Sequence, residues 1–326
     1  MMRQVLKAVF LFSVSMAEIY GQAPQNDIQV QKVKIELGRR LFYDADLSIN
    51  GTMSCATCHE QRRAFTDSNQ AHPGALGDPG KRNIPGLANV GLYKNLTWAH
   101  NHLSGLAQQA LAPIRGTDPI EMGMNGHEDE IAKRLGQNSC YQKLFSIAFS
   151  EEKGAISLDT VSKALESFEK TLISNNSLYD QKMRAKHPLP TKEAREGKKL
   201  FFGAAKCNTC HTAPLFSDDD FHQIQPKEQT QNPQFKDYGL SEVTGNLKDK
   251  NFFRTPSLRN AVLTAPYWHD GSTKTLTEAI RNHAVKTNQT LSAEEVNKLI
   301  AFIKTLTDTA FISNPKFAKP NKECPL

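Results

Sequence analysis

Cys55-Ala56-Thr57-Cys58-His59 and Cys207-Asn208-Thr209-Cys210-His211 are two copies of C-x-x-C-H, and the reading of this pair decides the fold. Two thiols three residues apart can form thioethers to the two vinyl groups of one haem, and the adjacent histidine is then held beneath the iron as its proximal ligand. The motifs therefore predict two covalently attached c-type haems, held by Cys55, Cys58 and His59 and by Cys207, Cys210 and His211. A single copy would also suit a redox pair or half a zinc site. One zinc ion shared by both cysteine pairs leaves the histidine after each second cysteine unexplained.

Working outward, the chain matches itself at three places in one order. Gly38-Arg39-Arg40-Leu41-Phe42 precedes the first motif as Gly197-Lys198-Lys199-Leu200-Phe201 precedes the second. Pro85, Leu87 and Asn89 follow the first as Pro256, Leu258 and Asn260 follow the second. Trp98 and Leu106 then correspond to Trp268 and Leu276. Any one match could be chance, but three in order indicate two copies of a mono-haem unit.

Apolar residues recur at helical spacing in Val33-Leu37-Leu41, Val161-Leu165-Phe168-Leu172, Leu276-Ala279-Ile280 and Val296-Leu299-Ile300-Ile303, each predicting an amphipathic helix. No run of alternating strand residues stands out. The expected fold is mainly α, two c-type cytochrome domains related by duplication, each built around one haem. Lys186-His187-Pro188-Leu189-Pro190 interrupts the helical pattern. It divides an N-terminal domain, 24–186, from a C-terminal one, 187–326.

Residues 1–23 read as a secretory signal: Arg3 and Lys7 precede an apolar run from Ala8 to Ala17, with small residues near Ala23. The run is too short to span a bilayer, and no later stretch is long enough, so no membrane span is expected. An amphipathic helix that stays attached is the alternative reading. Export makes the expected location periplasmic. Of 326 residues 39% are hydrophobic and 23% charged, a soluble globular balance. The formal net charge of +6 is spread among acidic residues, without the basic stripe of a nucleic-acid binder. Cys140 and Cys324 are left over from the motifs; they either form a disulfide in an oxidising compartment or remain two buried thiols.

Further stretches carry a family resemblance: Ser54-Cys55-Ala56-Thr57-Cys58-His59, Ala64-Phe65-Thr66-Asp67, Arg82-Asn83, Gln109-Ala110-Leu111-Ala112-Pro113-Ile114, Glu121-Met122-Gly123, Arg254-Thr255-Pro256-Ser257-Leu258-Arg259-Asn260 and Ala265-Pro266-Tyr267-Trp268-His269-Asp270-Gly271. From roughly Glu36 to Thr307 the chain resembles the di-haem cytochrome c peroxidase and MauG-like family. The resemblance implies that the first haem reacts with peroxide and the second transfers electrons. It implies Glu121 as the residue that moves protons, Gln109 as the one that orients peroxide, and Trp98 as the tryptophan between the haems. It also implies a calcium ion held by Asn83 with backbone carbonyls near Thr255 and Pro256. Without the resemblance, Glu121 would read as a solvated loop acid and Trp98 as a core aromatic.

Two departures from the family pattern matter. Counting back from Arg82, the position of the distal histidine that blocks the first haem in many members is Ala75, with His72 offset by three residues. Alanine cannot ligate iron, so the first haem is expected to be open without reductive activation. The alternative is that His72, His100 or His102 swings in. The last methionine is Met183, ahead of the second motif, so the second domain cannot supply the methionine ligand of the peroxidases. Counting on from Gly271 reaches His283, the predicted sixth ligand of the second haem, with His269 and His222 as other candidates and a surface role for His283 as the alternative. Trp98-Ala99-His100 also replaces the family's Trp-Asp-Gly.

The leading expectation is a periplasmic enzyme that reduces hydrogen peroxide with electrons from a small cytochrome c or cupredoxin. A MauG-like oxidase acting on Trp or Tyr of a partner protein, and a non-catalytic electron carrier, are the alternatives. Family members are often dimers, so a homodimer is also among the expectations.

Overall fold

In a computed structural model, residues 25–223, 236–286 and 290–325 are described; the expected signal segment, 1–23, lies outside them. The helices are α1 (Gln25–Phe42), α2 (Cys55–Cys58), α3 (Leu106–Arg115), α4 (Glu128–Gly136), α5 (Ser139–Ala148), α6 (Leu158–Glu169), α7 (Leu178–Arg184), α8 (Lys192–Phe202), α9 (Ser241–Thr244), α10 (Leu276–Lys286), α11 (Ala293–Lys304) and α12 (Thr309–Ile312). The chain is mainly helical, as expected. Among the described residues no helix is long and apolar enough to cross a membrane.

The duplication recurs in three dimensions. Helix α1 crosses α6 so closely that a Cβ at Gly38 would lie 1.9 Å from the Ala164 carbonyl oxygen and 3.0 Å from the Phe168 Cβ. Helix α8 crosses α11 in the same way: a Cβ at Gly197 would lie 1.9 Å from the Lys298 carbonyl oxygen and 3.0 Å from the Phe302 Cβ. Only glycine allows either crossing. The repeated asparagines act alike too. Asn89, at φ 63°, donates its backbone N–H to the Leu172 carbonyl at 2.7 Å and accepts the Ser174 N–H on Oδ1 at 2.9 Å. Asn260, at φ 62°, donates to Leu306 at 3.2 Å and accepts from Asp308 N–H at 2.8 Å. Asparagine tolerates the left-handed region, and here each one fastens the turn after a haem motif to the chain leaving the second helix of its pair.

Each pair closes over an apolar core. Val33, Leu37, Leu41, Val161, Leu165, Phe168 and Leu172 are all buried in the first, and Val296, Leu299 and Ile303 are buried on α11, so the helical spacing of the sequence marks the inward faces. The halves also interleave. Tyr179 of α7 packs against the second core, while Phe311 and Phe317 join the first. Cys140 and Cys324 are disulfide-bonded across 184 positions, which pins the C-terminal tail to α5. Arg40 adds bonds to the tail carbonyls of Asn321 and Glu323, and Tyr43 Oη donates to the Phe317 carbonyl.

Strands β1 (Phe221–Gln223) and β2 (Phe252–Arg254) form an antiparallel pair with Phe221 opposite Arg254. This small ladder differs from the strand-free expectation. Three residues are too few to show alternation, and Arg254 of β2 turns its N–H outward from the pair to the Trp98 carbonyl of the first half.

Candidate haem sites

The first motif begins in the single turn α2 and ends at His59, whose Nδ1 lies 2.7 Å from the Phe65 carbonyl oxygen. Phe65 is buried at φ 63°, a conformation that turns its carbonyl toward the ring. Such a bond fixes the imidazole and leaves Nε2 as the free ligand atom. His211 repeats the arrangement, with Nδ1 3.1 Å from the carbonyl of Phe216, itself at φ 55°. Burial lowers the His59 pKa to about 4 and pushes that of His211 below its ordinary value, so both rings are neutral, the form that binds a metal.

Near the first motif, the segment containing Glu121 is held between three elements. Met122 and Met124 N–H groups donate to the carbonyls of Pro113 and Ile114 at the end of α3, and the Met122 carbonyl accepts from Ile49 N–H at 2.9 Å. Gln109 lies one helical turn before Pro113 on α3, the helix to whose C-terminal end the Glu121 segment is bonded. Ala75 N–H donates to the Glu121 carbonyl at 2.7 Å. The position expected for a distal histidine is therefore beside Glu121, and it carries only a methyl group. Burial raises the Glu121 pKa, partly offset by nearby His72. His72 Nδ1 is 2.8 Å from the Pro73 carbonyl oxygen of its own loop. His100 and His102 pair with each other, ring centroids 6.1 Å apart.

Around the second motif lies a cavity of about 380 Å³ lined by Cys207, Cys210, His211, Trp268, Leu299 and His283 among others. The His211 and His283 ring centroids are 6.1 Å apart. With a metal–nitrogen bond of about 2.0–2.1 Å, plus roughly 1.1 Å from ring nitrogen to centroid, two imidazoles on opposite sides of one metal place their centroids about 6.3 Å apart. The pair fits one iron between them. Burial, reinforced by His211, lowers the His283 pKa to about 4. The other candidates line the same cavity but have partners of their own. His269 stacks on Phe253 with centroids 3.5 Å apart, and His222 Nε2 lies 2.7 Å from Asp218.

Trp98 and Phe253 form a small buried cluster where the two halves meet, and both line the cavity. The Trp98 indole N–H donates to the Asn83 carbonyl at 2.7 Å, and its own carbonyl accepts from Arg254 N–H at 2.8 Å. The calcium donors expected here fit only in part. Asn83 Nδ2 donates to the Asn69 carbonyl at 3.1 Å, which leaves Oδ1 to serve a cation. The Thr255 carbonyl already accepts the Ser217 hydroxyl at 2.7 Å and lies 3.5 Å from the Arg254 guanidinium, a resident positive charge. Pro256 lines the same cavity.

Three features of the site are not signalled by sequence spacing. The Phe65 and Phe216 carbonyls act through backbone that any residue carries. The folding of a loop brings His72 close enough to Glu121 to act on its charge. Trp268 lies parallel to His283, centroids 4.6 Å apart, although fifteen positions separate them.

Two mono-haem units, each with a motif histidine oriented by a carbonyl, define a di-haem c-type cytochrome. The comparisons identify which. The family profile described as "Di-haem cytochrome c peroxidase" matches residues 32–188. The chain is 32% identical over 277 residues to a cytochrome c551 peroxidase of Nitrosomonas europaea, spanning 83% of this chain and 79% of that one. It is 31% identical to the methylamine utilization protein MauG of Methylorubrum extorquens, spanning 87% and 81%. A crystal structure of a MauG-like protein associated with microbial copper homeostasis superposes with a TM-score of 0.82 at 34% identity, covering 96% of this chain and 99% of that one. This chain belongs to the di-haem cytochrome c peroxidase and MauG-like family; it is an oxidoreductase of the cytochrome c peroxidase type and carries two c-type haems.

Proposed function

We propose that the protein reduces hydrogen peroxide in the periplasm at a first haem held by Cys55, Cys58 and His59, using electrons that arrive through a second haem held by Cys207, Cys210, His211 and His283. The observation that carries this reading is Ala75 beside Glu121: a half-buried acid adjoins a position whose side chain cannot occupy the iron. When bound, the haems supply the redox chemistry, and the protein supplies ligands, access and protons. Glu121, its pKa raised by burial, takes a proton from one peroxide oxygen and returns it to the other. Gln109 holds the peroxide by hydrogen bonding from the same side. Trp98 bridges the two halves on the path between the haems.

The electron donor in this reading is a small periplasmic cytochrome c or cupredoxin, with residues 1–23 as the export signal. A homodimer, frequent in the family, is part of the proposal. His/His ligation gives a lower potential than Met/His, because the thioether raises it. A calcium ion would use Asn83 Oδ1 and the Pro256 carbonyl, with Arg254 drawn away from Thr255.

An EPR and absorption spectrum of the oxidised, haem-loaded protein tests the proposal. The expected result is one high-spin and one low-spin haem, with peroxide changing the high-spin signal before any reduction. Two low-spin haems indifferent to peroxide would overturn it.

A MauG-like oxidation of Trp or Tyr in a partner protein is the second reading. It is favoured by the absence of any methionine after Met183 in the sequence and by the likeness to the MauG-like structure. Rapid peroxide-dependent oxidation of reduced cytochrome c supports the first reading. Covalent oxidation of a co-expressed partner without such turnover supports the second.

A further inference from the structure

We propose that Trp268 is a positioning residue for His283, holding its ring by parallel stacking and thereby setting the ligand field of the second haem. The inference deepens the proposed function and rests on its assignment of His283 as a ligand. Three observations carry it. The Trp268 and His283 rings are stacked with centroids 4.6 Å apart and planes 14° apart, while the His211 ring lies 6.1 Å away, tilted by 53°. His283 thus has an indole lying flat against one face, while the iron would lie off the ring's nitrogen edge, toward His211.

The second observation is conformational. Trp268 sits at φ 73°, in the left-handed region that a bulky side chain adopts only when its surroundings impose it. The third comes from the duplication. The matching residue, Trp98, donates its indole N–H to the Asn83 carbonyl and lies in the cluster between the halves. The Trp268 Nε1 is buried with no acceptor among the described residues, and the residue lines the cavity that takes the second haem. In one copy of the unit the tryptophan joins the two halves; in the other it supports an axial ligand.

A stacked indole restricts rotation of the imidazole about its Cβ–Cγ bond. Rotation matters because the low-spin EPR signal of an iron with two imidazoles depends on the angle between their planes. Loss of the stack should therefore spread one ligand geometry into several without removing the ligand.

The test uses the full-length, haem-loaded protein with W268A, W268F and H283A, read by low-temperature EPR and by redox titration of the second haem. In W268A the single low-spin signal should broaden or split and the midpoint potential should shift, with the high-spin signal of the first haem unchanged. W268F, which keeps an aromatic face, should restore a single signal. If W268A fails to load the second haem, W268L replaces it, keeping volume without a ring. An unaltered low-spin signal and potential in W268A, or in W268L where that variant is used, would overturn the proposal. H283A separates the two levels: if it leaves the low-spin signal intact, the ligand assignment itself fails.

Discussion

Glu169 shows how much one side chain can cost when it is buried near the first haem motif. It is 5% exposed, its Oε2 has no hydrogen-bond partner among the described residues, and burial followed by Glu166 raises its pKa to about 8. A carboxyl with a raised folded pKa stays protonated while the unfolded chain ionises near the ordinary value, so stability falls as pH rises from about 4.5 to 8. Glu169→Gln should therefore stabilise the protein by on the order of 3 kcal/mol at pH 8 and by almost nothing below pH 4, measured by guanidinium unfolding at both pH values. Equal effects at the two would show that Glu169 is ionised in the folded state. At the first haem, Glu121→Gln should lower peroxide turnover by about 10²–10⁴-fold, the usual worth of a positioned proton carrier, with both haem spectra retained. Ala75→His restores a ring beside Glu121. It should convert the high-spin haem to low spin and suppress the peroxide reaction until the protein is partly reduced, both visible by EPR and stopped-flow absorption.

At the scale of elements, the helices were legible because burial imposes a period that apolar residues must follow. Val33, Leu37 and Leu41 read as one face of α1, and the structure buries all of them. The haem motifs were legible for a similar reason, since thioether chemistry dictates their spacing. The tail was not. Phe311 and Phe317 fall within the second half of the sequence, yet their rings lie 5.6 and 6.4 Å from that of Phe65, whose carbonyl holds His59. Nothing in their spacing says which core they enter. The Cys140–Cys324 pair was readable only as two cysteines without a motif, and the fold decided between a bridge and two thiols. Cys324→Ser should cost about 2–5 kcal/mol through the freed tail. It should weaken the first core in preference to the second, so hydrogen exchange should rise around Phe65 and α5 before it rises in α11. Uniform exchange in both cores would mean that the tail does not buttress the first site.

At the scale of the whole molecule, the duplication was visible because the same residues do the same work twice, as Gly38 and Gly197 do at their helix crossings. The junction between the copies was invisible, because its partners lie far apart in sequence and follow no period. Arg82 makes two bonds of 2.7 Å to Asp237, Lys81 reaches Glu242 at 2.9 Å, and Asp219 accepts the Asn95 N–H at 3.0 Å. The Arg82 guanidinium also lies 5.8 Å above Phe253, which stacks on His269 and adjoins Trp98. The clamp therefore bears on the Trp98 cluster, the path between the haems in the proposed function. Burial alone would raise the Asp237 pKa, but the Arg82 hydrogen bonds overcome it and hold the carboxyl below its ordinary value. A depressed folded pKa gives stability that is present above the unfolded value near pH 4 and lost as pH falls through the folded one. Arg82→Ala leaves Asp237, 8% exposed in its side chain, without its countercharge. The cost should be about 2–4 kcal/mol at pH 7, discounted for the partial exposure of Arg82, and it should shrink below pH 4 as Asp237 takes up a proton. Arg82→Lys keeps the charge but loses the two-bond geometry, and should recover only part of it. If the clamp holds the halves in register, Arg82→Ala should also slow reduction of the first haem through the second, with both haem spectra unchanged. Stopped-flow reduction at matched stability distinguishes this from simple weakening. An unaltered rate would leave Arg82 as a purely structural tie and place the inter-haem path entirely on Trp98.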